Sequence, residues 1–430
     1  MCRSAFANKI APVALLFAKA LAYTTTSLST AATLVGTSGA DSATAPTTAT
    51  KTITVNGYEG ADSITLGTAI ATSGTIGMGS GADTVTVGSV VIKNVNITLG
   101  ADGDTYTTGG VDNGVTVGGQ AGTDTFNLNA AVKSSIYSGG SGIDTFVSTT
   151  GALGKSVTIQ GGSEADVIGT SSAGFQTGES NFINGQVGKD SIYVTAATKT
   201  TVHGGSEADT INNGGTADAV YLSGDKGADT MVDGTGDTTL VGGGGADTIT
   251  AGDGMDTVTL GLGKDTVKYT QALTEYDTVT DFTVADDVAA FDVSDLNADF
   301  VVSGSSTTGG NLSTGGDADV AGGDTVVVQN VGAAATIASK TNVINWTTAA
   351  ADAAALETAV EAVAINFTSA LDVGDMLVFQ YNTASGEQRI ALGRVAAMSG
   401  TAANGWDFED LAIHSGGIAD LSAANYAFIA

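Results

Sequence analysis

The chain has 430 residues with 45 acidic and 15 basic side chains, a formal charge of −30. That charge excludes nucleic acid as a partner and disfavours anionic membrane surfaces, because phosphates would be repelled. An apolar fraction of 42% and a mean hydropathy of +0.19 exclude a chain too polar to fold, so the excess negative charge calls for divalent cations. Cys2, the one cysteine, allows no internal disulfide, and two histidines far apart, His203 and His414, make a poor zinc site. Sixty-one glycines beside two prolines point to tight turns between hydrogen-bonded strands.

Residues 1–50 are rich in Thr, Ala and Ser and are assigned to an N-terminal cap or anchor. Within them, residues 10–22 (IAPVALLFAKALA) form the only long apolar run. It is too short to span a bilayer and is interrupted by Lys19. A short amphipathic helix is expected there, with a signal peptide ending at Ala20-Leu21-Ala22 as the competing reading.

Residues 51–273 carry an internal repeat. Aligning on Gly-x-Asp gives Asp62, Asp83, Asp104, Asp124, Asp144, Asp166, Asp190, Asp209, Asp229, Asp247, Asp256 and Asp265, at intervals of 21, 21, 20, 20, 22, 24, 19, 20, 18, 9 and 9. Asp102 competes with Asp104 for its place. After each Asp the residues alternate with period two, as in DSITL, DTVTV and DTFNL. That alternation puts Ile64, Val85, Phe126, Phe146, Ile192 and Ile249 on one buried face. A second strand follows in each unit, as in VNITLG, GVTVGG and SVTIQGG. Two strands and two turns in about 20 residues make one coil of a parallel β-solenoid, whose coils bury a core only by stacking. The fold class is therefore all-β.

Stacking strands 4.7–4.9 Å apart brings equivalent Asp residues of successive coils together. Facing carboxylates repel unless a cation lies between them, and an oxygen-only ligand set points to Ca2+. A solenoid without metal, stacked on Asn or Thr ladders, is the serious competitor. The other glycine readings are weak. Gly263-Lys264-Asp265 lacks the hydroxyl of a P-loop and precedes a strand, and a disordered linker would not keep an apolar residue two after each Asp.

GGSGIDTFV (139–147) and GGGGADTIT (242–250) match Gly-Gly-x-Gly-x-Asp-x-apolar-x, and so resemble the RTX β-roll proteins. In that family the Asp carboxylates and glycine-turn carbonyls bind Ca2+ between coils. The resemblance implies a calcium role for Asp144 and Asp247, and by degenerate copies for Asp62, Asp83, Asp104, Asp124, Asp190, Asp229, Asp256 and Asp265. It implies the same for the turn residues Gly140, Gly142, Gly243, Gly245, Gly254 and Gly263. GGSEAD occurs twice, with Glu164 and Glu207 where the later Gly belongs. A non-Gly residue resists positive φ there, so either Asp166 and Asp209 bind poorly and stand apart from the ligand set, or the Glu adds a ligand. One motif per 20 or so residues implies calcium along mainly one edge, and only 242–267 is expected to be two-edged.

Residues 274–430 are assigned to a β-rich C-terminal cap. YDTVTDFTVADDVAAFDVSDL resembles the exit from the roll in type I-secreted RTX proteins, and the apolar tail ADLSAANYAFIA resembles their uncleaved secretion signal. A hairpin is expected around Asn382–Gly386, and a helix in TTAAADAAALETAVEAV with Leu356, Val360 and Val363 on one face.

No catalytic constellation is visible: there is no His-Glu-x-x-His and no Gly-x-Ser-x-Gly, and His203 in TVHGG is expected to face outward. The expectation is a non-enzymatic, calcium-dependent structural protein, secreted to the cell surface through type I machinery and assembling with itself into a surface layer or sheath. An adhesin ectodomain is the alternative, with cell-surface glycan or lipopolysaccharide as further candidate partners.

Overall fold

The computed structural model describes residues 31–44, 52–67, 72–130, 132–148, 153–171, 175–195, 199–270, 276–292, 328–331, 335–337, 343–362, 365–367, 376–399, 402–414 and 426–429. The apolar run at 10–22 lies outside them. The chain divides into two compact units, residues 1–170 with 175–182, and residues 171–174 with 183–430.

The first unit is a parallel β-solenoid of about 20-residue coils. One sheet stacks Ala31–Val35, Thr52–Asn56, Gly74–Ser80, Val95–Ala101, Thr116–Ala121, Ile136–Ser141 and Thr158–Ser163. The other stacks Ser42–Thr44, Ser63–Leu66, Thr84–Val87, Thr105–Thr108, Thr125–Leu128, Thr145–Val147 and Val167–Ile168. The pairing is parallel and in register, for example Tyr137 beside Ile159 and Phe126 beside Phe146. Each strand turns alternate residues into the thin space between the sheets. Val85, Val117, Phe126, Tyr137, Phe146 and Ile159 are wholly buried there, and each such side chain contributes roughly 1.5–3 kcal/mol of burial. Phe126 and Phe146 stack at 4.5 Å between coils. The first described coil, Ala31–Thr44, falls within the segment assigned from sequence to an N-terminal cap.

The second unit holds a roll of the same kind, with Thr201–Ser206, Val220–Lys226, Thr238–Gly244, Thr257–Leu262 and Asp277–Val279 on one sheet. Its second sheet holds Ser191–Thr195, Thr210–Asn213, Thr230–Val232, Thr248–Thr250, Thr266–Tyr269 and Val288–Asp292. Ile192, Ile211, Ile249 and Val267 fill its core, so all six inward positions expected from the alternation are buried.

The C-terminal region continues both sheets. Ala402–His414 pairs in parallel with Asp277–Val279, and Tyr426–Ile429 with Val288–Asp292. His414 is buried, with Nε2 2.8 Å from the Tyr269 hydroxyl, and its ring stacks on Phe282. The expected hairpin joins Met376–Asn382 to Gln388–Ser399, with the Thr383 N–H donating to the Glu387 carbonyl and Gly386 at φ +89°. The expected helix spans Ala353–Glu361, where the Asp352 carboxylate accepts the Ala355 N–H at 2.8 Å as an N-cap. Leu356 and Val360 pack into a core with Trp346, Phe379, Trp406 and Phe408; Val363 lies outside the described residues.

Candidate metal centre

The Gly-x-Asp turns stack into a column along one edge of each roll. In the first unit each Asp N–H donates to Oδ1 of the Asp in the next coil: Asp62 to Asp83, Asp83 to Asp104, Asp104 to Asp124, Asp124 to Asp144 and Asp144 to Asp166, all at 2.7–2.8 Å. The second unit repeats this from Asp190 to Asp209, Asp229, Asp247 and Asp265 at 2.8 Å. Each Asp carbonyl meanwhile accepts the N–H that follows the next Asp, as Asp124 does from Thr145. A carboxylate on a single methylene spans the coil spacing, so the side chain stands in for a missing ladder partner.

The second carboxylate oxygen has a different environment. Oδ2 of Asp62, Asp83, Asp104, Asp124, Asp144, Asp209, Asp229, Asp247 and Asp265 is buried without a hydrogen-bond partner. The glycine five residues before the Asp explains how it fits. A methyl group on Gly139 would overlap both Oδ2 of Asp144 and the carbonyl oxygen of Gly161 in the next coil. Gly119, Gly204 and Gly224 repeat this arrangement with Asp124, Asp209 and Asp229. Oδ2 therefore lies near a carbonyl oxygen, and two facing acceptors need a proton or a cation between them.

Further carbonyls are turned between the coils by the residues four and two before each Asp, which take positive φ. Gly140 and Gly142 lie at +113° and +112°, Gly243 and Gly245 at +108° and +148°. A methyl on Gly245 would run into the carbonyl oxygen of Gly227 below it, and one on Gly263 into that of Gly245. Glu164 and Glu207 adopt the same conformation at +76° and +80°. Asp166 and Asp209 accept N–H bonds from the preceding coil like the others. Asp102 likewise occupies a turn position at φ +80°, and Asp104 stands in the column.

Burial is the main cause that raises these carboxyls. Asp62, Asp229 and Asp265 are pushed up to about 6, Asp104 and Asp144 to about 7, and Asp209 to about 8. A bound cation relieves that desolvation and keeps the groups ionised.

The opposite edge shows what the hydrogen bond alone requires. There the Val115 N–H donates to Ser135 Oγ at 3.1 Å and the Val157 N–H to Asn181 Oδ1 at 2.8 Å. Neutral side chains do that job without a buried charge. In the first unit the buried Asp112 on this edge accepts the Tyr106 and Tyr137 hydroxyls at 2.6 and 2.8 Å and no such backbone N–H. In the second unit carboxylates take up the backbone role: Asp256 accepts the Thr238 N–H at 2.7 Å, and Asp277 accepts that of Asp256 at 3.1 Å. Asp256 Oδ2 is buried and unpartnered, and burial with the nearby Asp277 charge pushes the group to about 8. The nine-residue spacing of 242–267 thus places Asp247 and Asp265 on one edge and Asp256 on the other.

The donors fit Ca2+: they are hard oxygens, partly anionic. Among the described residues no three His, Cys, Asp or Glu side chains converge as a metal cluster, so backbone carbonyls must complete any coordination shell.

Each unit's column has one closed end. Oδ2 of Asp41 accepts both the N–H and the hydroxyl of Thr37, at 2.6 and 3.0 Å, and Oδ2 of Asp287 accepts the Thr283 N–H at 2.6 Å. In both, a Thr four residues earlier takes the oxygen that is open in the inner coils. The sequence alignment omitted Asp41, although Gly39 precedes it with the same Gly-x-Asp spacing, 21 residues before Asp62. Asp277 and Asp287 carry no glycine signal. His203 pairs with the Asp225 carboxylate at 2.9 Å on the partly exposed sheet face.

Residues 232–267 match the family model of the RTX calcium-binding nonapeptide repeat, in four copies. No curated protein matches the chain. The repeat match and the parallel solenoid fit an RTX β-roll protein, and the repeats are of the Ca2+-binding kind.

Proposed function

We propose that this calcium-binding β-roll protein is a secreted structural protein, which folds outside the cell and assembles with itself into a surface layer or extracellular sheath. The observation that carries the proposal is the placement of the open carboxylates. They recur coil after coil and belong to the scaffold, so the cation supports the whole roll and not one pocket. RTX-repeat proteins are typically secreted. At low Ca2+ the carboxylates repel and disfavour the roll, which suits export as an unfolded chain. Bound Ca2+ supplies charge neutralisation between the coils, and its binding energy becomes folding energy. The stacked coils then offer a rigid, repetitive surface for lateral contacts between copies.

We assign no catalytic role. His414 is buried, and the sequence shows no His-Glu-x-x-His and no Gly-x-Ser-x-Gly. The second reading is a partner-binding ectodomain of an adhesin, with its binding site outside the roll. Electron microscopy of the purified chain with Ca2+ and with chelator separates the two. Ordered sheets or filaments in Ca2+ alone are expected; a monodisperse monomer that binds cells or glycans would favour the adhesin.

A further inference from the structure

One coil of the second unit departs from the motif in a compensated way. On the edge opposite the main column, Gly252-x-Gly254-x-Asp256 stacks on Gly234-x-Gly236-x-Thr238. A methyl on Gly252 would meet the carbonyl oxygens of Gly234 and Asp233, which fixes this register. Thr238 therefore stands where the motif places its Asp, and its N–H donates to Asp256 Oδ1. Asp233 stands where the motif places its first Gly. In the main column that glycine leaves room for the Oδ2 of the coil's own Asp; here the carboxylate comes from the glycine position itself.

Asp233 is 6% exposed and Asp256 1%, and Oδ2 of each is buried without a hydrogen-bond partner. The Asn213 side-chain amide donates to Asp233 Oδ1 at 2.6 Å, and the Thr238 hydroxyl and the Gly234 N–H also bond to this carboxylate, which orients it and partly offsets its burial. Asp237, one residue before Thr238, does not take this role: it is exposed, and its Oδ1 accepts the Met255 N–H at 2.9 Å. Burial raises both inner carboxyls, and the charge of Asp233 is among those that raise Asp256.

We propose that Asp233 is a calcium ligand in the place of the motif's first glycine, supplying the carboxylate that Thr238 lacks and forming with Asp256 a cation site on this edge. The proposal rests on the calcium reading of the roll. Thr and Gly have exchanged with Asp across five residues, and the carboxylate count of the turn is preserved.

The test is calcium stoichiometry of the full chain by equilibrium dialysis, with affinities from calorimetry. It compares the native sequence, Asp233→Asn and the double variant Asp233→Gly with Thr238→Asp. Asn keeps the acceptor for Asn213 and removes the charge. One Ca2+ fewer per chain, or at least a tenfold loss of affinity at one site, is expected for Asp233→Asn, with recovery in the double variant. A full count at native affinity in Asp233→Asn overturns the proposal and makes Asp233 a hydrogen-bond acceptor only. Should Asp233→Asn fail to fold, the double variant decides: a native count supports the exchange, and a count one short overturns it. Absence of Ca2+ binding by the native chain would overturn the underlying calcium reading as well, and is distinguished by that control.

Discussion

The two edges of the roll solve the same backbone problem with different side chains. On one edge, N–H groups that point along the stacking direction are met by Asp in coil after coil. On the other they are met by Ser135, Asn181 and, late in the chain, Asp256 and Asp277. Asn supplies the same acceptor as Asp at a far smaller desolvation cost. Retaining Asp throughout one edge therefore has a purpose beyond the hydrogen bond, and the open Oδ2 beside the turn carbonyls identifies it as cation binding.

Asp247→Asn tests that difference most strongly. It leaves an acceptor for the Asp229 N–H and removes the charge. Calcium stoichiometry should fall, and stability at a hundredfold excess of Ca2+ over Kd should drop by about 2.7 kcal/mol if one site is lost, read from denaturant midpoints. An unchanged count would make the two edges equivalent. A somewhat smaller loss is expected from the turn backbone. Gly245→Ala, at φ +148° and against the Gly227 carbonyl, should cost about 1–3 kcal/mol of strain. Gly244→Ala next to it meets nothing within 4 Å and should be nearly neutral.

The pH response of the metal-free chain should follow the same edge. Burial raises the column carboxyls above the unfolded value of about 3.9, with Asp62, Asp104 and Asp209 pushed up to about 6, 7 and 8, so the folded state holds the extra protons. In chelator, stability should be greatest below about pH 4 and fall as pH rises through 6 to 8. In excess Ca2+ protons compete with the metal, and the sign should reverse. Thermal melts from pH 5 to 8 in both buffers check this; parallel curves would contradict it. The smallest effect is expected at the closed ends of the columns. Asp41→Asn and Asp287→Asn should leave the calcium count unchanged, with about 1 kcal/mol lost from a weakened hydrogen bond.

The repeat, the inward residues and the column register were legible because each depends on spacing alone. Ile64, Phe126 and Ile249 are buried as period two requires, and Asp247 and Asp256 fall on opposite edges as half a coil requires. The closed ends were not legible, since Thr37 and Thr283 act through backbone N–H groups whose direction no motif records. The Asp233–Thr238 exchange escaped for a related reason: alignment on Gly-x-Asp has no place for a carboxylate at the first glycine. The positive φ of Glu164 and Glu207 was not legible, because stacking on both sides of a turn overrides its local cost, about 1–2 kcal/mol. In the C-terminal region the hairpin and helix were local and readable. The pairing of Ala402–His414 with Asp277–Val279 joins segments far apart in sequence and was not.

The central claim is that Ca2+ binding to the carboxylate column folds the roll. It is tested most directly by titrating Ca2+ into chelated protein at pH 7.5 while recording far-ultraviolet circular dichroism. The account predicts weak β signal in chelator and a cooperative gain of β structure with added Ca2+. A full β spectrum in chelator, unchanged by Ca2+, would contradict it.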